Sequence, residues 1–158
     1  MSQNDYSFYK IKFRIVDLEP DNSHIIVKAK VDGLAINVIL DTGASHSCFD
    51  LNFIRQHNPC FEMEENEGLN VGVGSNDFES KVGKITDLQL GRLHIHDYQV
   101  VLLDMSNING VYETMKIPVS HGIIGSDFFV KHQAVIDYEH KMLILKVLRK
   151  KKKQFYRQ

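Results

Sequence analysis

One acidic turn constrains this chain more than any other stretch. Residues 41–45 read Asp-Thr-Gly-Ala-Ser and directly follow an apolar run, Ala-Ile-Asn-Val-Ile-Leu, at residues 35–40. A run of this composition favours a β-strand, and Gly43 allows the backbone to turn sharply behind it. The sequence therefore predicts that Asp41 lies on a tight, rigid turn at the end of a strand, half shielded from water, where a carboxylate is placed for proton transfer.

A second motif lies about eighty positions further along the chain. Residues 122–129 read Gly-Ile-Ile-Gly-Ser-Asp-Phe-Phe, an apolar strand followed by a glycine and a helix-opening Ser-Asp pair. Together the two motifs resemble the aspartic peptidases of the retropepsin type, most closely their small bacterial members. The resemblance spans roughly residues 25–145 and is specific at these two motifs. It implies that Asp41 is the catalytic residue.

The order of the motifs also predicts the fold. Residues 25–54 and 95–130 follow one plan, in which strands lead to a strand that ends in glycine and then to a short helix. This faint internal repeat favours a pseudo-twofold barrel over a sandwich. Together with the resemblance, which implies the fold of the retropepsin-like acid proteases, it leads us to expect an all-β, single-domain, retropepsin-like barrel with one or two short helices. The domain is expected to cover residues 1–148, and residues 149–158 form a basic tail.

Periodicity and turn residues predict the individual elements. Alternating residues predict strands, Asp32-Gly33 predicts a hairpin, and Asp50 is a plausible helix N-cap. The stretch 104–115 is either irregular or helical, and Asp127 is an N-cap or a first-turn acid. The remaining expectations are strands at residues 8–15, 25–31, 35–40, 85–90 and 93–103, a helix at 51–57, an acidic loop at 60–67 and a final hairpin over 134–147.

Composition is that of an ordinary globular protein. Of the 158 residues, 43% are hydrophobic and 25% are charged, which indicates neither disorder nor a membrane class. The two cysteines, Cys48 and Cys60, are too few for a disulfide framework and are expected to be buried, reduced and inert. Residues 1–5 do not show the start of a secretory signal peptide, in which a basic region is followed by an apolar one. We expect a cytoplasmic protein without a membrane partner.

The net charge of −1 hides an asymmetry. Residues 149–158 carry six basic groups and no acid, which leaves 13 basic against 20 acidic residues in the rest of the chain. An acidic body is not a nucleic-acid-binding domain, so no nucleic-acid partner is expected. The tail by itself remains a candidate for contact with polyanions.

The resemblance implies one catalytic carboxylate in each chain, because the second half has Ile123-Ile124-Gly125 where the first has Asp41-Thr42-Gly43. Peptide hydrolysis by this chemistry needs two carboxyl groups that share a proton. A homodimer that brings together Asp41 from both subunits is therefore expected. Thr42 would tie the two turns together, Gly43 would leave room for substrate, and Ser45 is a candidate for a hydrogen bond behind Asp41.

The Gly-rich stretch at residues 69–78 is interpreted as a mobile flap over an extended peptide. It lacks a third glycine at the dinucleotide spacing and a Gly-Lys-Ser/Thr sequence, so a nucleotide site is disfavoured. No cofactor and no metal are expected. The residues expected to contact a polypeptide substrate are Ser45, Gly72, Val73, Gly74, Ile123 and Ile124.

Three alternatives were weighed against the peptidase. The first is a retropepsin-like domain that binds peptides or a protein partner without cutting them. A Ser/Cys hydrolase built on Ser45, Ser47 or Cys48 with His46 is disfavoured, because sequence neighbours on a strand and turn do not face one another and no Gly-x-Ser-x-Gly elbow is present. His94 and His96 share a face of one strand, and a metal site there would need a third ligand. We expect them instead to form a polar outer face.

Overall fold

Strands dominate the computed structural model, which describes residues 5–65 and 80–149. The all-β prediction is confirmed, and three short helices accompany the strands in these two ranges. In chain order the elements are β1 (Tyr6–Glu19), β2 (Asn22–Val31), β3 (Leu34–Leu40), β4 (Cys48–Asp50), α1 (Leu51–His57), β5 (Met63–Glu65), β6 (Lys81–Leu90), β7 (Leu93–Leu103), α2 (Ser106–Thr114), β8 (Gly122–Ile124), α3 (Ser126–Lys131), β9 (Val135–Asp137) and β10 (Met142–Leu148).

The hairpin that delivers Asp41 forms as the sequence predicts. Asp32 (φ 49°) and Gly33 (φ 86°) both adopt positive φ, as a type I′ turn requires. The turn sets β2 and β3 antiparallel, with Val27 opposite Val38 and Ile25 opposite Leu40. Strand β3 therefore ends beside the start of β2, and Asp41 follows directly.

Six strands close into a barrel. They run in the order β6, β7, β4, β8, β3, β2, and a further pairing of β2 with β6 joins the two ends. That closing seam is short and places Ala29 opposite Leu90 and Val31 opposite Leu88. Strand β1 extends beyond the barrel, because its first half pairs with β10 and its second half with β2.

The main core fills the barrel with side chains that alternate along the strands. On β2, Val27, Ala29 and Val31 are buried, whereas Lys28 and Lys30 are exposed, as the alternation predicts. The largest fully buried side chains come from β2, β4, β6, β7, β8 and β10, from α3 and from the link between β7 and α2: Phe49, Phe128, Ile26, Ile85, Leu88, Leu90, Leu102, Met105, Ile124, Leu143, Leu145 and Val27.

The helices begin where local chemistry favours them. The Asp50 side chain accepts a hydrogen bond of 3.0 Å from the Asn52 amide and so caps α1, as predicted. The stretch 104–115, which the sequence left open, contains α2. At α3 the N-cap is Gly125, and Asp127 lies in the first turn.

Two expectations differ from the structure. The acidic stretch 60–67 was expected to be a loop, but Met63–Glu65 form β5, which pairs with β6 and is supported by an ion pair between Glu65 and Lys81. Cys60 is exposed rather than buried, because it lies in the irregular link that follows α1. Gly72, Val73, Gly74 and the tail beyond Arg149 lie outside the described residues.

Within the described ranges, no helix has the length and apolarity that crossing a bilayer requires.

Shortening a large buried side chain at the closing seam should lower the stability of the fold. Leu88 is 0% exposed and lies where β6 meets β2. We expect Leu88→Ala to lower the free energy of unfolding by roughly 2–5 kcal/mol, because it leaves a cavity in the core. Leu34→Ala, at the exposed start of β3, should change it by only about 0.5 kcal/mol. Urea denaturation measures both, and equal effects would contradict this description of the seam.

Candidate active site

Asp41 is held at the end of a pair of parallel strands. Strand β3 pairs with β8, with Ile39 opposite Ile123 and Leu40 opposite Ile124. The Asp41 amide continues this pairing by donating a hydrogen bond of 3.0 Å to the Ile124 carbonyl. The backbone beneath the carboxylate is therefore fixed by a strand that lies more than eighty residues later in the chain.

The turn that follows also orients the side chain. The Gly43 amide donates a hydrogen bond of 2.8 Å to Oδ1 of Asp41, and the Ala44 amide donates to the Asp41 carbonyl at 3.2 Å. A Cβ atom at Gly43 would lie 3.2 Å from that same Oδ1, which is tighter than ordinary packing. Glycine thus leaves room for the carboxylate. Asp41 itself is exposed to solvent rather than half shielded as expected, because in a single subunit no other element of the described ranges covers the turn from the solvent side.

The start of α3 packs directly against this turn. The Ser126 amide donates to the Ala44 carbonyl at 2.8 Å, and the Ser126 hydroxyl donates to the Thr42 carbonyl at 2.8 Å. A Cβ atom at Gly125 would lie 2.8 Å from the Ala44 carbonyl oxygen, so only glycine allows this approach. The two motifs singled out in the sequence therefore touch, backbone against backbone.

A buried serine completes the junction. Ser47 is 2% exposed, and both its amide and its hydroxyl donate to Oδ1 of Asp127, at 2.9 and 2.7 Å. The same hydroxyl accepts a hydrogen bond of 3.0 Å from the Gly125 amide. The buried polar groups of both motifs thus satisfy one another. We name the junction of residues 41–47 with residues 125–127 the turn clamp.

The hydrogen bonds between Ser47 and Asp127 were not predicted from the sequence. Ser47 was considered only as a possible nucleophile, and Asp127 only as a helix-opening acid. The one available signal was a short polar residue inside an otherwise apolar stretch, since Ser47 directly precedes the buried Cys48 and Phe49. Such a residue must find a hydrogen-bond partner, but the sequence does not reveal which one.

The clamp also disfavours a Ser/Cys hydrolase. The Ser47 hydroxyl is buried and donates to the Asp127 carboxylate, so it is neither accessible to a substrate nor paired with a histidine as in such hydrolases. The pKa of the Cys48 thiol is raised to about 11, mainly by burial, and the nearby charges of Asp127 and Asp41 contribute in the same direction. A thiol in this environment stays protonated and is a poor nucleophile.

The other predicted site residues have different positions. Ser45 is exposed, and its carbonyl accepts a hydrogen bond of 3.3 Å from the Asp127 amide. Ile123 is partly buried, outside the main core. Ile124 is 0% exposed and packs inside the main core, so its side chain is not accessible to a peptide. The substrate contacts expected of Ser45 and Ile123 stay predictions, as does the role of Thr42 across a dimer.

His94 and His96 lie on the outer face of the β6–β7 hairpin, on either side of one carboxylate. Their Nδ1 atoms are 2.9 and 3.5 Å from the Asp87 carboxylate, and the rings stack with centroids 6.2 Å apart. Within residues 5–65 and 80–149, no group of three or more His, Cys, Asp or Glu side chains is arranged to hold a metal ion. His94, His96 and Asp87 thus form part of a polar outer face of the strand pair, as the sequence predicts.

The clamp should contribute measurably to stability. Ser47→Ala removes the hydroxyl that serves both the Asp127 carboxylate and the buried Gly125 amide. We expect a loss of roughly 1–3 kcal/mol in the free energy of unfolding. Ser45→Ala is the matched control, because it deletes the same atom from an exposed residue two positions away. The two substitutions are compared by urea denaturation, and a similar effect of both would argue against the clamp.

The site can now be compared with known proteins. A family model described as aspartyl protease matches residues 27–128, which include both motifs. No curated protein matches the chain.

Solved structures share the fold at low sequence identity. A retropepsin-like aspartic protease from Rickettsia conorii superposes with a TM-score of 0.55 at 15% identity, over 92% of this chain and 96% of its own. The retroviral protease-like domain of Ddi1 from Leishmania major gives 0.51 at 19% identity, over 76% of this chain and 86% of its own. Since the family model spans more than half of the sequence and contains the Asp41 turn, the chain belongs to the aspartyl protease family and has the retropepsin-like fold.

Proposed function

We propose that this protein is an aspartic endopeptidase in which Asp41 of two identical subunits forms the catalytic pair. The observation that supports it best is the exposed Asp41 carboxylate, oriented by the Gly43 amide on a turn braced by β8 and α3. A single subunit offers one such carboxylate, since the second motif has Ile123 at the position that corresponds to Asp41. A second copy related by a twofold axis supplies the other.

The pair works as one unit. Two carboxyl groups in close contact cannot both ionise readily, so they hold one proton between them and titrate together. The ionised Asp41 takes a proton from a bound water, while its protonated twin donates a hydrogen bond to the scissile carbonyl. The water then adds to the carbonyl carbon without a covalent enzyme intermediate. The proton taken from water later reaches the amide nitrogen as the C–N bond breaks.

Pairing would also change the surroundings of the carboxylate. In one subunit Asp41 faces solvent, where charges are strongly screened. A facing subunit would exclude much of this water and so strengthen the interaction that keeps a proton between the two acids. Within each subunit, the turn clamp limits the movement of the carboxylate. The two acids can then meet in a reproducible geometry.

The substrate class is a polypeptide in extended form. An extended chain can pair with exposed strand backbone near the site, and side chains next to the cut then occupy adjacent pockets. The expected covering segment, with Gly72, Val73 and Gly74, stays a prediction. The cytoplasmic location and the domain boundary at residue 148 also stay predictions.

Loss of the Asp41 carboxylate should abolish cleavage. We expect Asp41→Asn to reduce hydrolysis of an unfolded protein by at least about 10²–10⁴-fold between about pH 4 and 7, because the amide cannot exchange the proton. Gel analysis of the digests measures this, with and without a pepstatin-like inhibitor. Asp21→Asn, the same change at an exposed turn residue, is the control and should retain full activity.

Thermal unfolding should be unchanged in Asp41→Asn, which separates loss of chemistry from loss of fold. Undiminished cleavage by Asp41→Asn would contradict the proposal. Saturable binding of the polypeptide by wild-type protein without any cleavage would instead favour the domain that binds without cutting.

Activity should also depend on assembly. We expect the rate per subunit to fall on dilution, because separated subunits each hold half of the pair. Mixing wild-type protein with an excess of Asp41→Asn should lower activity further, since mixed dimers contain one Asp and one Asn. An equal excess of Asp21→Asn should not lower it. Sedimentation at the assay concentrations reports the dimer, and a fully active monomer would contradict the mechanism.

A further inference from the structure

A second, smaller apolar cluster lies outside the main core. Its buried members are Ile26 on β2, Ile39 on β3 and Tyr112 on α2. The partly buried side chains that pack against it are Val16, Leu18, Ile117 and Ile123. We refer to this group as the outer cluster.

The outer cluster lies on the face of the sheet that carries Asp41. Ile39 precedes Asp41 by two residues, and alternate residues of a strand point to the same face. Val38 and Leu40, with the opposite parity, point into the main core. On that shared face the register places Ile26 and Ile123 on either side of Ile39. A row of three isoleucines therefore lies about 7 Å along the strand from the catalytic carboxylate.

Tyr112 covers this row. It is 3% exposed, and Ile26 and Ile39 beneath it are 1% and 5% exposed. Its hydroxyl is hydrogen-bonded to Nδ1 of His24, at the start of β2, and the two rings lie with centroids 5.9 Å apart. Because Ile123 is only partly buried, the covered row keeps one open end.

The segment that carries Tyr112 is anchored on both sides. Before α2, the Asp104 carboxylate accepts hydrogen bonds from the Ser106 amide and from the Asn52 side chain, at 2.8 and 3.0 Å. On the other side, Asn109 and Ser120 exchange two hydrogen bonds of 2.9 Å. These hydrogen bonds thus hold the tyrosine ring in one position over the isoleucine row.

We propose that Tyr112 determines specificity by filling the deep part of the apolar subsite beside the scissile bond, so that only a small apolar side chain fits against Ile123. This inference rests on the proposed peptidase function, because the subsite is defined by its distance from Asp41. The insert between β7 and β8 then has a role in selecting substrates. A ring that only packed the insert onto the barrel would leave selectivity unaffected.

Binding tests the subsite independently of cleavage. The probes are two otherwise identical hydroxyethylene pseudopeptides that carry either a methyl or a benzyl side chain next to the hydroxyl, and calorimetry gives both Kd values. Wild-type protein should bind the methyl probe more tightly. Tyr112→Ala opens the space above Ile39, and we expect the ratio of the two Kd values to shift at least about tenfold toward the benzyl probe.

Two variants control for other effects. Tyr112→Phe keeps the ring but loses the hydroxyl bonded to His24, so it should retain the preference for the methyl probe. Tyr138→Ala removes a ring that is 61% exposed and lies outside the outer cluster, and it should leave the ratio unchanged. If Tyr112→Ala does not fold by circular dichroism, Tyr112→Leu removes less volume. It should produce a smaller shift in the same direction.

Each outcome decides the question. The proposal is overturned by any one of three results. The ratio of the Kd values is unchanged in folded Tyr112→Ala or Tyr112→Leu, the wild-type protein prefers the benzyl probe, or no variant binds either probe. Cleavage of an unfolded protein is scored separately. Binding with the expected ratios but without cleavage would contradict the peptidase function alone, and Asp41-dependent cleavage with an unchanged ratio would contradict only the role of Tyr112.

Discussion

The turn clamp is the interaction on which the site depends. A carboxylate that shares a proton with a twin must be positioned to within a fraction of an ångström. A turn of a few residues cannot provide this alone, because its backbone is free to move. Here Ser47 and the backbone around Gly125 hold the turn from below. The positioning of Asp41 thus comes from a distant part of the same chain.

This arrangement makes the site depend on the folding of the whole barrel. The parallel pairing of β3 with β8 joins segments separated by about eighty residues, and closing such a loop carries an entropic cost that other contacts must offset. The β2–β6 seam and the packed core provide that compensation. The site consequently depends on the closed barrel, in which the covered isoleucine row also lies beside Asp41.

Local patterns in the sequence predicted much of the fold. Alternation identified β2, an apolar and β-branched run identified β3, Asp32-Gly33 identified their turn, and Asp50 identified the start of α1. Each of these signals involves residues close together in the chain. The Asp41 turn was also identified from its own residues, because a strand followed by Asp-Thr-Gly is a local pattern.

Partnerships between distant residues were not predictable in this way. No periodicity links Ser47 to Asp127, and three-residue strands are too short to show alternation. The interior position of Ile124 on β8 and the existence of β5 were therefore missed. The stretch 104–115 gave no sign of where Tyr112 would pack, and only its contact with Ile26 and Ile39, together with the register of three strands, places it over the face that carries Asp41.

The close approach at Gly125 has a consequence for which substitutions the chain tolerates. The atoms that a side chain there would strike belong to the backbone of Ala44 and His46, so no substitution of a neighbouring side chain can make room for it. Even a single methyl group at position 125 would therefore push against the turn that carries Asp41. The smallest residue of the chain thus decides whether the acid keeps its place.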